Sequence, residues 1–219
     1  MQKTSHTSSE ISYKAELIRK SLHLLAMVIP AGMLYLGKLT SLLILVPLCL
    51  LAIFLEIARV NSHKTAQLVE KVFGVMMRPA EQPAVGEPVV FNGATWVMLS
   101  ATLLVFIFPV KIAAISMITF MISDAAAALV GRRFGKIHWG KSAKTIEGSS
   151  AFFITAILCL ALFDILLIKE ILFVGFAAML LELLPVALND NLYVPLGTAG
   201  LIYIVLKTLH LEPLSLFFF

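Results

Sequence analysis

The stretch "SDAAAALVGRRFGKIHWGKSAKTIEGSS", residues 123–150, decides how this chain is read. Five Lys or Arg and two acids crowd one spot, yet apolar runs lie on both sides. Of the 219 residues, 60% are hydrophobic and 14% are charged. Soluble domains are about 45–50% apolar and about 25% charged. The stretch is therefore a charged loop between segments suited to hydrocarbon, and the chain reads as an integral membrane protein. Cys49 and Cys159 fall inside apolar runs and read as small core residues, not as a disulfide framework. The expected organisation is one membrane-embedded domain over 1–219. Residues 1–15 form a polar, mobile tail, and no secretory signal peptide is expected.

A bilayer core takes about 20 mostly apolar residues per helix. Seven runs qualify, at 21–37, 39–57, 93–109, 111–130, 149–168, 171–188 and 192–211. They are too long for strands and show no period-two alternation, and helices satisfy their own backbone groups in lipid. The fold class is all-α: a polytopic protein with about seven transmembrane helices. Residues 62–78 differ in kind. Leu68, Val69, Val72, Phe73, Met76 and Met77 make one helical stripe behind Ser62 as N-cap, so an amphipathic helix lies at the inner surface or packs on the spans. No internal repeat is visible, which weakens a transporter built from inverted repeats.

With the N-terminus inside, thirteen of the seventeen Lys and Arg fall on the inner side. Lys38, Lys111, Lys169 and Lys207 fall outside, a strong positive-inside bias. The charged loop then faces the cytoplasm and the C-terminus lies on the opposite side.

"GKIHWGKS", Gly135 to Ser142, has the spelling of a phosphate-binding loop. That motif works after a buried strand and before a helix of an α/β domain. Here it follows a membrane span, and the bulky Trp139 suits a phosphate-wrapping loop poorly. A P-loop fold is rejected. The residues themselves say more. Asp124 sits deep in a span, where a carboxylate is costly unless paired or metal-bound. Ala125 to Ala128 leave room for close approach. Arg132, Arg133, Lys136, Lys141 and Lys144 follow, too many for orientation alone. Gly131, Gly135, Gly140 and Gly148 punctuate them and expose backbone N–H groups, and Glu147 closes the loop. A carboxylate able to hold a divalent cation thus adjoins a loop able to hold phosphates. A positive-inside loop with Asp124 neutralised by a neighbouring cation accounts for the same residues. Other buried polar groups share this side: Glu16, Arg19, Lys20 and His23 on one helical face, Glu56 with Arg59, and Glu182 with "NDN", Asn189 to Asn191. Each has an ordinary explanation alone, and their convergence points to a polar site cut into the inner leaflet.

The ordered motifs "ELIRKSLH" (16–23), "EIAR" (56–59), "NGATW" (92–96), "DAAAALVGRRFGK" (124–136), "KSAKTIEGS" (141–149) and "ELLPVALNDNLYVPL" (182–196) cover nearly the whole chain. In this order they resemble the CTP-dependent lipid kinase family, which includes dolichol kinase, phytol kinase and the yeast-type diacylglycerol kinase. The family is similar in part to CDP-diacylglycerol synthase, a phosphatidate cytidylyltransferase. That enzyme's late Pro-Gly-His-Gly-Gly run with paired aspartates is absent here, so the kinase reading is preferred.

The resemblance implies transfer of the γ-phosphoryl group of CTP to the hydroxyl of a polyprenol, phytol-type alcohol or diacylglycerol, with Mg²⁺ or another divalent cation. It implies Asp124 and Asp190 as the metal-related carboxylates, one of them orienting the hydroxyl. Arg132, Arg133, Lys136, Lys141 and Lys144 would grip the triphosphate. Glu147 and Asn191 are further candidates at the reacting end. Arg19, Lys20, His23, Glu56, Arg59, Asn92, Thr95 and Glu182 are candidates for substrate contact or support. The expected partners are a nucleoside triphosphate, a membrane lipid alcohol and the bilayer. No nucleic acid is expected, and a homodimer is left open. The alternatives are the cytidylyltransferase and a non-enzymatic lipid transporter whose basic loop grips headgroups. On position alone, Lys141→Ala and Lys144→Ala are expected to weaken nucleotide use without exposing a buried partner.

The topology is tested by accessibility labelling of single cysteines placed at Ser8, Lys144 and Ser215. The first two should react from one side of sealed vesicles and the third from the other. Labelling of Lys144 and Ser215 positions from the same side would refute the span count.

Overall fold

A computed structural model of the chain describes residues 13–74, 77–140, 142–186 and 188–209. Lys141, Met76, the segment 1–12 and the C-terminal 210–219 lie outside the described residues. The chain is all-α. Its helices are α1 (Tyr13–Leu25), α2 (Val28–Asn61), α3 (His63–Phe73), α4 (Gly93–Ile107), α5 (Val110–Phe134), α6 (Ile146–Ala161), α7 (Ile168–Leu183) and α8 (Asp190–Leu209), with a 3-10 turn at Pro79–Glu81. Among the described residues, two helical stretches are long and apolar enough to cross a bilayer, Glu16–Asn61 and Val110–Phe134, while α4 and α6 are apolar but shorter.

The 46 residues from Glu16 to Asn61 would span about 69 Å as one straight helix, more than twice a hydrocarbon core. They do not run straight. Gly37 breaks α2 with φ 74° and ψ 178°, a left-handed backbone that favours glycine. Three contacts fix the path. His23 lies edge-on to Phe120, with ring centroids 6.1 Å apart. Lys38 Nζ donates to the Phe108 carbonyl at 3.2 Å, just before α5 begins. Farther on, Glu56 Oε1 accepts from Asn92 N at 3.0 Å, just before α4. The chain therefore climbs beside α5, turns at Gly37 and descends antiparallel to α4. The expected break between the first two runs, at residue 38, falls one residue from the observed one.

The descending part of α2 turns Leu39, Leu43, Leu50, Phe54 and Ile57 outward, all exposed. Large apolar surface facing away from a packed core is what a hydrocarbon environment accommodates and water does not. The core is centred on α5, which packs on α1, α2, α4, α6 and α8 and buries Ile112, Ile115, Met117, Phe120 and Met121. The amphipathic helix is present but shorter than 62–78. Ser62 Oγ caps it by accepting from Thr65 N at 3.5 Å. Its stripe divides, with Val69 buried and Leu68 and Val72 exposed.

The α5–α6 contact is the most extensive in the bundle. Gly148 lies so near α5 that an added Cβ would sit 2.9 Å from the Ala127 carbonyl oxygen and 3.3 Å from Gly131 Cα. Thr145 caps α6, with Oγ1 accepting from Gly148 N at 3.1 Å. Gly135 N donates to Gly131 O at 2.9 Å. The glycines at 131, 135 and 148 thus serve close helix approach, and the N–H groups of Gly135 and Gly148 are satisfied within the protein. This corrects the expectation that they expose donors to a ligand.

Gly148→Ala should lower stability by about 1–3 kcal/mol, the range for overpacking a close contact. Gly32→Ala, in α2 with nothing within 4 Å of an added Cβ, should be neutral or stabilise by about 0.4–1 kcal/mol. Thermal unfolding of the two variants in detergent micelles reads the contrast.

Candidate active site

The charges foreseen along the chain gather at one end of the bundle, where α5 ends and α6 begins. A cleft of about 610 Å³ opens there, within the range of small-molecule sites. Ala127, Ala128 and Gly131 of α5 form its small-residue wall, and Leu129 and Val130 are not among its lining residues. Among the described residues its cations are Arg19, Lys20, Arg78, Arg132 and Lys144, and its acids are Glu16, Asp124 and Glu182. Five against three leaves two positive charges in excess, His138 aside.

The acids are held in ion pairs. Lys20 Nζ is bonded to Asp124 Oδ2, and His23 Nε2 stands 3.7 Å from the same oxygen. Glu16 receives Arg19 at 2.5 Å and Arg132 at 3.3 Å. Glu182 receives Lys144 at 2.9 Å, and the same ammonium reaches the Glu182 carbonyl. Lys20 and Glu16 are almost wholly buried, at 2% and 1% exposure. They are part of the site's interior rather than distant support.

The loop after α5 is a tight hairpin. Ile146 N donates to Ile137 O at 2.8 Å and Trp139 N to Lys144 O at 3.0 Å. Trp139 Nε1 donates to Ser149 Oγ at 3.1 Å. Gly135–Ser142 therefore neither follows a strand nor opens a helix, as the rejection of a P-loop required. Glu147 closes the hairpin by accepting from Lys136 N at 3.0 Å and Ile137 N at 3.4 Å. Its own backbone N–H, then those two, hold its carboxyl below the usual carboxylate range. The closure is thus present above that range and is lost as pH falls through the lowered pKa.

Several expected residues lie elsewhere. Arg133 turns over the Phe134 ring, 5.4 Å from its centroid, and Lys136 is exposed. Asn191 is buried; its side-chain amide donates to Asn189 Oδ1 at 2.8 Å within the first turn of α8. It lines a smaller cavity of about 180 Å³ with His23, Phe73 and Val97, and Arg19 lines both this cavity and the cleft. Glu56, Arg59, Asn92 and Thr95 form a buried brace. Arg59 pairs with Glu56 at 2.5 Å and donates to the carbonyls of Glu81 at 2.8 Å and Val90 at 2.6 Å. Thr95 Oγ1 donates to Glu56 at 3.0 Å. This brace holds the 78–91 loop and the start of α4.

Asp190, at the start of α8, borders a second groove of about 940 Å³ that shares Arg78 and Lys144 with the cleft. Asp124 lines the cleft and Asp190 the groove, and Arg78 and Lys144 line both. Arg78 is the cation that sequence reasoning did not single out; it precedes a proline outside any motif. Lys141 lies outside the described residues.

No protein-family model and no solved structure matches the chain. It is 28% identical over 189 residues to an uncharacterized protein of Rickettsia prowazekii, covering 82% of this chain and 89% of that one. It is 27% identical over 169 residues to CTP-dependent diacylglycerol kinase 1 of Schizosaccharomyces pombe, covering 69% of this chain and 74% of that enzyme. The chain's homologues thus include a CTP-dependent lipid kinase. A further match, 36% identical over 83 residues, is to dolichol kinase of Saccharomyces cerevisiae. It covers 34% of this chain and 16% of that longer enzyme. In this chain the cleft's residues come from α1, the loop that carries Arg78, α5, the hairpin, α6 and α7.

Lys144 was expected to be a free loop cation whose loss strands nothing. Its pairing with the buried Glu182 corrects that. Lys144→Ala should destabilise the protein by about 1–3 kcal/mol, since a buried polar group loses its partner. The double variant Lys144→Ala, Glu182→Gln should recover much of this. A double-mutant cycle on thermal midpoints reads the coupling.

Proposed function

We propose that this chain is a CTP-dependent lipid kinase, a single membrane-embedded catalytic domain that phosphorylates the hydroxyl of a membrane lipid alcohol. The observation that carries the reading is a net-positive cleft around half-buried Asp124 at one end of an apolar bundle, in a chain whose homologues include a CTP-dependent lipid kinase. Seven spans, a cytoplasmic N-terminus and cytoplasmic site loops belong to the proposal; the positive-inside distribution and the reversal at Gly37 support them.

Phosphoryl transfer asks the protein mainly for positioning and charge neutralisation. Arg132 and Lys144, with Arg19, Lys20 and Arg78, supply the cations for a triphosphate, with Lys141 and the exposed Arg133 and Lys136 nearby in sequence. The acceptor oxygen bonds to the γ-phosphorus while the bond from that phosphorus to the β,γ-bridging oxygen breaks, and its electron pair leaves with CDP. The hydroxyl proton passes to Asp190 and then to solvent. Among the described residues no cluster of three His, Cys, Asp or Glu forms a ready-made metal cage. Magnesium on a nucleotide does not need one, because one or two carboxylates and the phosphates suffice. Asp124 and Asp190 are hard oxygen donors of that kind. Asp124 and Asp190 would hold the ion, and it would supply neutralisation of the phosphate charge. Lys20, already on Asp124, is then placed to turn its ammonium to a phosphate oxygen.

Purified protein with Mg²⁺, labelled CTP or ATP and a panel of lipid alcohols tests the reading. Label from the γ-position should enter the lipid. A cytidylyl lipid with released pyrophosphate would instead establish the cytidylyltransferase.

Asp124→Asn and Asp190→Asn should each abolish turnover, with non-additive effects because either loss disables one unit. If Asp124 only neutralises Lys20, Asp124→Asn should lose on the order of 3–5 kcal/mol of stability, and adding Lys20→Met should restore it. A folded, fully active Asp124→Asn enzyme would refute the mechanism.

A further inference from the structure

The groove beside the cleft has a different character from the cleft itself. Its walls are Val89, Val90 and Phe91 of the loop before α4, and Leu184, Val186 and Leu188 of the turn before α8. Val89, Val90, Leu184, Val186 and Leu188 are each 38–52% exposed, so apolar surface faces the opening rather than a packed core. Its charged lining residues are Arg78, Glu81, Lys144 and Asp190. Two of these, Arg78 and Lys144, also line the cationic cleft, so the groove and the cleft meet. Its rim is aromatic: Phe91 and Trp96 stack edge to face with centroids 5.5 Å apart, and Tyr193 Oη donates to the Leu184 carbonyl at 3.2 Å. Trp and Tyr with one wet and one apolar side mark the level of a membrane interface.

An apolar-walled trough that shares Arg78 and Lys144 with a phosphate-suited cleft fits a molecule that is hydrocarbon except at one end. We propose that this groove holds the hydrocarbon of the lipid acceptor next to its hydroxyl, with the hydroxyl lying between Asp190 and Lys144. The proposal rests on the lipid-kinase reading and adds to it the part of the chain that selects the acceptor. Lys144, pinned by Glu182, separates the two compartments: its ammonium serves the nucleotide side, and its position beside Asp190 marks where the acceptor oxygen stops. Acceptor choice should follow from the groove's walls and nucleotide choice from the cleft.

The test uses the full chain in lipid nanodiscs with a polyprenol and a diacylglycerol, each carrying a diazirine on the first carbons of its tail. After photolysis and digestion, adducts should map to peptides within 79–96 and 184–193, and unlabelled acceptor should compete them away. In parallel, Val89→Trp and Leu188→Trp place bulk on two lining segments from different parts of the chain, at positions already half exposed. Each should lower kcat/KM for the lipid by about tenfold or more, as a pocket misfit does, while KM for CTP stays as in the parent. Competable groove adducts uphold the proposal even if no phosphate reaches any lipid, a result that would remove the kinase reading alone. Adducts elsewhere together with unaltered lipid kinetics in both variants would overturn it. So would variants that change the oligomeric state in light scattering and leave lipid kinetics untouched, which would assign the groove to a second copy of the chain.

Discussion

The close crossing of α5 and α6 is the constraint on which the rest of the site depends. Gly131 and Gly148 let the two helices approach until the Thr145 hydroxyl packs between them. That separation is set by backbone atoms, not by side chains that could repack. It fixes the distance from the end of α5 to the start of α6, and the hairpin between them has little choice but to double back on itself. It also leaves one face of α5, from Asp124 to Arg132, without bulk. The cleft is the space that this absence of side chains creates, and α1 and α7 close it with charged groups.

Those charged groups have to be reconciled with an apolar bundle. A lone buried charge is costly, and a pair recovers the cost only with good geometry and extra hydrogen bonds. Here Glu16 is shared by two guanidiniums and Asp124 lies against an ammonium with an imidazole close by. Glu182 takes Lys144 on its carboxylate and shares it with its own carbonyl. Each acid is compensated, yet cations remain in excess. The bundle can keep its charges without ligand and still present an attractive field to an anion, which a fully neutral network would not.

Much of this was legible in the sequence because membrane helices are governed by simple composition. Long apolar runs gave all-α architecture, and the gap before residue 38 marked the reversal that Gly37 makes. Ser62 was readable as a cap because a small hydroxyl ahead of an amphipathic run has few other uses. The convergence of Glu16, Arg19, Lys20, Asp124, Lys144 and Glu182 was legible from their shared depth. Pairings were not: nothing in the residue order says that Lys144 reaches Glu182 across two helices, or that Lys20 rather than Arg19 meets Asp124. Glycine was the ambiguous residue. Its absence of a side chain serves a phosphate or a neighbouring helix equally well, and only the distances to Ala127 and Thr145 separate the two uses at Gly148. Arg78 was invisible because it belongs to an irregular segment whose path depends on α2.

That dependence reaches further. The segment between Arg78 and Asn92 has almost no regular structure of its own, but it is stitched to the last turns of α2 at three points. Arg59 takes the carbonyls of Glu81 and Val90, and the Gly86 amide donates to the Val60 carbonyl at 2.9 Å. Lengthening a loop is cheap in entropy, with each doubling adding only about 0.6 kcal/mol, so chain length between the stitches is nearly free to drift. The stitches themselves are not, since losing Arg59 would release both ends at once and leave the buried Glu56 without its ion-pair partner. Over evolutionary time such a segment can lengthen at Gln82 to Val85 or Glu87 to Pro88 without moving Val89 to Phe91. Size variation among relatives should therefore gather in those two short intervals, while the wall they flank keeps its place.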